Sequence, residues 1–304
     1  MLGRRRFLLP LCLGILYVVW GSTYLVQRVA VAAMPPLQMA ALRFLISGAL
    51  LYAALRVTGT PAPTRRAWIA AAISAVPLMV TGMGTAAVAL KHVPSGLAAL
   101  VFGSVPLWAA LFDRLSGGRL RRLEVAGLAL GFTGVALVAS RGALRAEPAG
   151  AALVILAAAS YALGCVATRR APLSPGVMGT ASQMLAGGAI LAVASLLRGE
   201  PLAVPPPRAA AALAYLVVLG SLVGYVAFGW LLKNARPALA TSYAYVNPII
   251  ALALGTWLGG EHFTRADGAG LVLVLSAVAL IGWAQRSRGA PLDAPAAPPA
   301  RATS

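Results

Sequence analysis

Three groups of residues in this chain carry functional groups suited to recognising a small molecule. Arg43 stands inside an apolar run that extends from Pro36 to Leu55. A guanidinium there either offers its fork of donors to a carboxylate or snorkels to the nearer interface. Asn247 sits next to Pro248 in a second apolar run and follows Thr241, Ser242, Tyr243 and Tyr245. An amide taken out of water needs a hydrogen-bonding partner, which a ligand or a neighbouring helix can supply. Aromatic side chains form the third group: Trp20 and Tyr24 flank Gly21-Ser22-Thr23, while Tyr161 and Tyr225 lie near the middle of their own runs. They offer flat apolar surface with a polar tip. Pro106 and Pro248 each fall about halfway along a run, so the carbonyls of Phe102 and Ala244 lose their helical donor. In hydrocarbon such carbonyls must be satisfied inside the protein or face a wet cavity. Read together, Trp20, Tyr24, Tyr161, Tyr225 and Tyr243 would hold the apolar body of a small amphipathic molecule. Asn247 and the freed carbonyls would meet its donor, Arg43 would face its carboxylate, and Pro106 and Pro248 would act as helix breaks in gating.

Other chemistries lack their residues. No Ser-His pair, paired-Asp motif or metal cluster falls within an apolar run, so no catalytic residue, metal or cofactor is expected. His92 and His262 lie at run ends and do not resemble a ligand set. Gly82-Met83-Gly84-Thr85-Ala86-Ala87 fits a dinucleotide fingerprint only in spelling, because no strand precedes it. It reads as a packing face. Cys12 and Cys165 are isolated within apolar runs and read as small buried thiols.

The elements that must position these residues follow from composition. The chain is 60% hydrophobic with only seven acids among 304 residues, above the roughly 45–50% of soluble domains. A span requires about 20 mainly apolar residues, and ten segments qualify: 8–27, 36–55, 67–89, 94–115, 122–140, 149–168, 176–197, 209–232, 237–258 and 267–284. The reading is an all-α integral membrane protein. The net charge of +18 does not point to nucleic acid, because the arginines form short clusters between the runs. With the N-terminus inside, clusters such as Arg4–Arg5–Arg6, Arg65–Arg66 and Arg169–Arg170 fall on the inner side. The opposite loops hold fewer, among them Arg28, Lys91, Arg198 and Arg265. The positive-inside rule then places both termini in the cytoplasm. All but two of the 25 basic residues are arginine, a compositional hint of a GC-rich bacterium, and the expected location is a bacterial inner membrane. The start resembles a signal peptide, but its apolar run continues past Trp20 without an A-x-A site and reads as an uncleaved first span. Residues 289–304 are rich in alanine and proline and read as a disordered cytoplasmic tail.

The chain also repeats itself. The interval from Lys91 to Lys233 equals that from Pro106 to Pro248, about 142 residues, the kind of fixed lag that marks a duplication. Trp20 aligns with Tyr161, Arg28 with Arg169, Arg43 with Gln183 and Gly82 with Gly224 at nearly the same lag. Residues 1–142 and 143–288 would therefore be two five-helix repeats. Five is odd, so the second copy enters the membrane from the opposite face, the inverted architecture of many secondary transporters. Pro77 has no partner in the second copy and reads as a kink. The pairs Gly127/Gly131, Gly220/Gly224 and Gly255/Gly259 have the spacing that lets helices approach closely.

With Trp20-Gly21-Ser22-Thr23, Arg43-Phe44, proline-bearing fourth and ninth spans, and Gly260-Glu261 in this order, the chain resembles the drug/metabolite transporter superfamily. The resemblance is to its EamA-type ten-helix members and covers all but the tail. It implies two inverted five-helix repeats around a central cavity lined by spans 1, 3, 4, 6, 8 and 9. It also implies outward movement of amino acids or other small metabolites. The chain departs from the family where Gly-Glu usually follows the fourth span, for Gly117-Gly118-Arg119 stands there. Any role of that glutamate is left to Glu261 alone. The expected function is export of a small amphipathic metabolite by alternating access, with the lipid bilayer and the substrate as partners. A membrane scaffold or receptor and an intramembrane enzyme are the alternatives.

Overall fold

The computed structural model describes residues 2–115, 122–141, 147–235 and 242–286. Gly117-Gly118-Arg119, Arg236, Thr241 and the 289–304 tail lie outside the described residues. Among the described residues, nine helices are long and apolar enough to cross a membrane: α1 Phe7–Val31, α2 Pro36–Val57, α3 Arg65–Ala89, α4 Ser95–Leu115, α5 Arg122–Arg141, α6 Pro148–Arg170, α7 Val177–Leu197, α8 Pro207–Leu231 and α10 Arg265–Ala284. The ninth predicted span is represented by α9, Tyr243–Trp257, 15 residues that are mainly apolar. The described residues contain no strand. Nine of the expected runs thus coincide with spanning helices, the described part of the ninth run is helical too, and the protein is an all-helical membrane protein.

Local chemistry sets many of the boundaries. Pro36, Pro148 and Pro207 open α2, α6 and α8, where the missing N–H is no loss. Thr64 caps α3 by accepting from the Ala67 amide at 3.2 Å. Thr264 and Asp267 form a reciprocal capping box at the start of α10, with the Thr264 amide donating to Asp267 Oδ2 at 2.8 Å and the Asp267 amide to Thr264 Oγ1 at 3.2 Å. At their C-terminal ends α2 and α7 finish alike. Gly59 and Gly199 adopt φ of 84° and 67°, and each is followed by an amide that reaches back to Leu55 or Ser195.

Helix pairing carries the duplication into three dimensions. Each of α2, α4 and α5 packs against its own counterpart, α7, α9 and α10. The pairs α3–α6, α4–α6 and α3–α7 recur as α8–α1, α9–α1 and α8–α2. An exchange of the two halves leaves this set of contacts unchanged, as a two-fold relation between inverted five-helix repeats requires. The outer surface is lined by exposed apolar side chains, including Leu50, Ile73, Val193, Leu197 and Val226, as a lipid-facing surface must be. Trp257 and Trp283 are both exposed, as residues of an interfacial aromatic belt are.

Three helices carry π-helical stretches: Leu16–Trp20 in α1, Val76–Gly84 in α3 and Leu216–Val223 in α8. Pro77 stands at the start of the α3 stretch, which explains the kink expected of it. The α8 stretch occupies the matching place without a proline, a parallel that the proline pattern did not reveal. Wide turns of this kind recur at functional sites.

Candidate functional site

The two central prolines have different effects. The α4 span is interrupted, with helical segments Ser95–Phe102 and Val105–Leu115 on either side of Gly103-Ser104. Pro106 is the second residue of the lower segment, where its missing N–H costs nothing. Pro248 is held within the continuous helix α9. The break and Pro248 meet: a Cβ built on Gly103 would lie 3.2 Å from the Pro248 ring. The absence of a side chain at Gly103 is what lets α4 and α9 approach here.

Trp20, Tyr225 and Tyr243 are brought together from α1, α8 and α9. The Trp20 ring lies edge-on to Tyr243 at 4.8 Å and to Tyr225 at 5.6 Å. Phe228 completes this group, 5.5 Å from Trp20 and 5.6 Å from Tyr243. The indole N–H donates to the Gly220 carbonyl at 3.0 Å, and a Cβ on Gly224 would fall within the indole. Gly220 and Gly224 therefore make room for a side chain rather than for a helix backbone. A second aromatic line runs across α1, α4 and α6, from Tyr24 to Phe102 at 5.8 Å and on to Tyr161 at 5.9 Å.

Arg43 joins the two lines. It is 4% exposed, which excludes snorkelling, and its Nε donates to Ser221 Oγ at 3.2 Å. Its guanidinium carbon lies 5.3 Å from the Phe44 ring centre, and Tyr24, Tyr161 and Tyr225 are its electrostatic neighbours. Among the described residues, Arg43 Nη1 has no hydrogen-bond partner, and neither has Asn247 Oδ1. Asn247 is buried one residue before Pro248, and its backbone carbonyl lies 3.5 Å from the Cβ position of Gly21. Gln183, the repeat mate of Arg43, instead donates to Ser74 Oγ at 2.8 Å and Thr168 Oγ1 at 2.9 Å. It serves packing, as its position suggested.

Of the residues singled out in the sequence, Trp20, Tyr24, Arg43, Tyr161, Tyr225, Tyr243, Asn247 and Pro248 thus converge on the seam between the repeats. The break in α4 falls between Phe102 and Pro106, where the missing N–H of Pro106 removes the bond to the Phe102 carbonyl. Phe228 and Ser221 were not singled out in the sequence, and Phe102 and Gly220 only for a freed carbonyl and for close helix packing. Of these, Ser221 left a signal, as the one hydroxyl in the apolar stretch Leu216–Val223. Cys165, one turn beyond Tyr161, borders the same cluster.

What this arrangement can do is hold a molecule with one flat or apolar part, one donor and one anionic group. A buried guanidinium nitrogen and a buried amide oxygen without partners among the described residues are costly to a fold that does not use them.

Relatives agree in kind. The chain is 43% identical to the inner membrane transporter YedA of Escherichia coli K12, over 91% of this chain and 92% of that one. It is 28% identical to a probable amino-acid metabolite efflux pump of Salmonella typhimurium, over 85% and 89% of the two chains. A solved crystal structure with 23% identity covers 91% of this chain at a TM-score of 0.63 and shares its fold. The model of the EamA-like transporter family matches twice, at residues 8–140 and 148–283. With both halves matched and a ten-run helical fold built on paired repeats, this chain belongs to the EamA-like transporter family and is a multi-pass inner membrane transporter.

Proposed function

We propose that the protein exports an amino acid or a closely related amphipathic carboxylate, moving it by alternating access at the seam between the repeats. One observation carries this reading: Arg43 is buried with its Nη1 free, among Tyr24, Tyr161 and Tyr225. The free Nη1 would pair with the substrate carboxylate, a charge-assisted bond stronger than a neutral one. Asn247 Oδ1 would accept from the substrate ammonium. Trp20, Tyr225, Tyr243 and Phe228 would cover its side chain. The efflux activity named for the Salmonella relative supports the same substrate class.

Both termini are proposed to be cytoplasmic, and residues 1–142 and 143–288 to move as the two units. The test is counterflow in proteoliposomes loaded in turn with a panel of amino acids, their amides and their decarboxylated amines. Exchange of one or more amino acids, with the matching amide and amine at least tenfold slower, is the expected result, since a lost charge-assisted bond costs about 1.5–3 kcal/mol. Equal rates for acid and amide, or no exchange of any carboxylate, would remove Arg43 from the role assigned to it.

A further inference from the structure

Glu261 lies outside the aromatic cluster, yet it is the most heavily bonded carboxylate between the two repeats. It is 5% exposed and ion-paired with Arg28 at the end of α1. Its Oε1 also accepts from the amide and the hydroxyl of Ser95, each at 2.7 Å, and its Oε2 accepts from the Gly96 amide at 3.0 Å. Ser95 and Gly96 are the first residues of α4, so the carboxylate caps that helix at its positive end. On its other side the carboxylate lies over Gly255 of α9, where a Cβ would displace it. One side chain from the α9–α10 loop therefore ties together α1 and α4 of the first repeat. The same face is tied a second time by Glu200, whose Oε2 accepts from the Gln38 amide at 3.0 Å and from Ser195 Oγ at 2.7 Å.

The opposite face has a different arrangement. In the place that corresponds to Gly260-Glu261 the sequence has Gly118-Arg119, with no acid to offer. The ion pair described there joins Arg170 of α6 to Asp113 of α4 at 2.9 Å, and both side chains are 54% exposed. Water screens such a pair and leaves it little strength. In the Arg28–Glu261 pair the arginine side chain is 38% exposed and the glutamate 1%, so loss of Arg28 strands the carboxylate away from water. Among the described residues, the Glu261 pair is the more buried of these two ion pairs.

We infer that Glu261 is the latch of the gate on its face, and that the protein rests with that face closed. This rests on the alternating-access reading above. With the loop charges placing Glu261 outside, the resting transporter would face the cytoplasm, the orientation in which an exporter loads. Cargo then has to supply the binding energy that separates Glu261 from Arg28 and Ser95, because a ligand shifts such an equilibrium only through its differential affinity for the two states.

Native Cys165, beside the aromatic cluster, is a reporter for the test once Cys12 is removed as C12A. A membrane-impermeant maleimide is applied to right-side-out and to inside-out vesicles. In E261Q, modification of Cys165 from the Glu261 face should rise about tenfold, and from the opposite face it should fall, as a shifted two-state population requires. R28Q should act in the same direction, S95A more weakly, and D113N should leave the Glu261 face closed. A side-specific change separates an opened gate from general loosening, which would raise labelling from both faces. Unchanged labelling from the Glu261 face in both E261Q and R28Q, or an equal rise from both faces, would overturn the latch. Side-specific labelling in a protein that moves no amino acid would leave the latch standing and remove the substrate reading instead.

Discussion

At the level of single residues, Arg43 and Asn247 have bonding capacity that the described protein does not use. Arg43 spends its Nε on Ser221 and keeps Nη1 free. Replacing it by methionine removes a buried charge while keeping much of the volume, a change that is often neutral or stabilising. R43M should therefore hold or raise the melting temperature while lowering the kcat/KM of carboxylate substrates at least tenfold, as measured by proteoliposome flux and a thermal-shift assay on the same preparation. R43K should not restore transport, because an ammonium lacks the planar fork. N247A should likewise reduce flux by about tenfold, the loss expected for one hydrogen bond of about 1–1.5 kcal/mol, with little change in melting temperature. A fall in stability of several degrees without a change in flux would reassign Asn247 to packing. Arg43 and Asn247 were legible in the sequence because a polar group in an apolar run is conspicuous. Phe102 and Phe228 were not, since a phenylalanine in such a run looks the same whether it faces lipid or substrate.

At the level of helices, the site depends on where the regular α-helix gives way. The π-helical stretch of α8 supplies the Gly220 carbonyl to Trp20 and, at the next position, the Ser221 hydroxyl to Arg43. Two neighbouring residues thus fix two side chains from two different helices. Gly224 leaves space for the indole, so G224A should force Trp20 out of place at a cost of about 1–3 kcal/mol. A drop of several degrees in melting temperature together with lost flux is the expected outcome, and an unaltered Trp20 fluorescence environment would contradict it. Pro248 should act in the opposite sense. P248A restores a donor to the Ala244 carbonyl and is expected to raise the melting temperature by a few degrees, because an interior proline costs a helix about 3 kcal/mol. Transport should fall with it as the seam stiffens. The matching prolines suggested equal breaks in both halves; the structure breaks α4 and leaves α9 continuous. The turn ahead of each proline is the difference, for Gly103-Ser104 gives way where Pro106 removes its bond to Phe102, while Tyr245-Val246-Asn247 ahead of Pro248 stays helical.

At the level of the whole molecule, the two-fold pattern of helix contacts sets the expected behaviour. Five spans per repeat require the start and finish of the chain to share one face. Reporter fusions at both termini should be active together on the cytoplasmic side; activity on opposite faces would break the inverted duplication. The sequence by itself determined the ten apolar runs, the lag of the repeat and the polar residues placed within them, because the cost of a charge or an amide in hydrocarbon makes such residues rare and visible. Only the tertiary structure decided that Arg43 meets Ser221, that Trp20 meets Gly220, and that Glu261 reaches Ser95 and Arg28. In a membrane the lipid and the helix interface are equally apolar, so hydrophobic patterning does not encode which helix face meets which. The pairing is settled by small residues, wide turns and a few polar contacts between helices far apart in the chain.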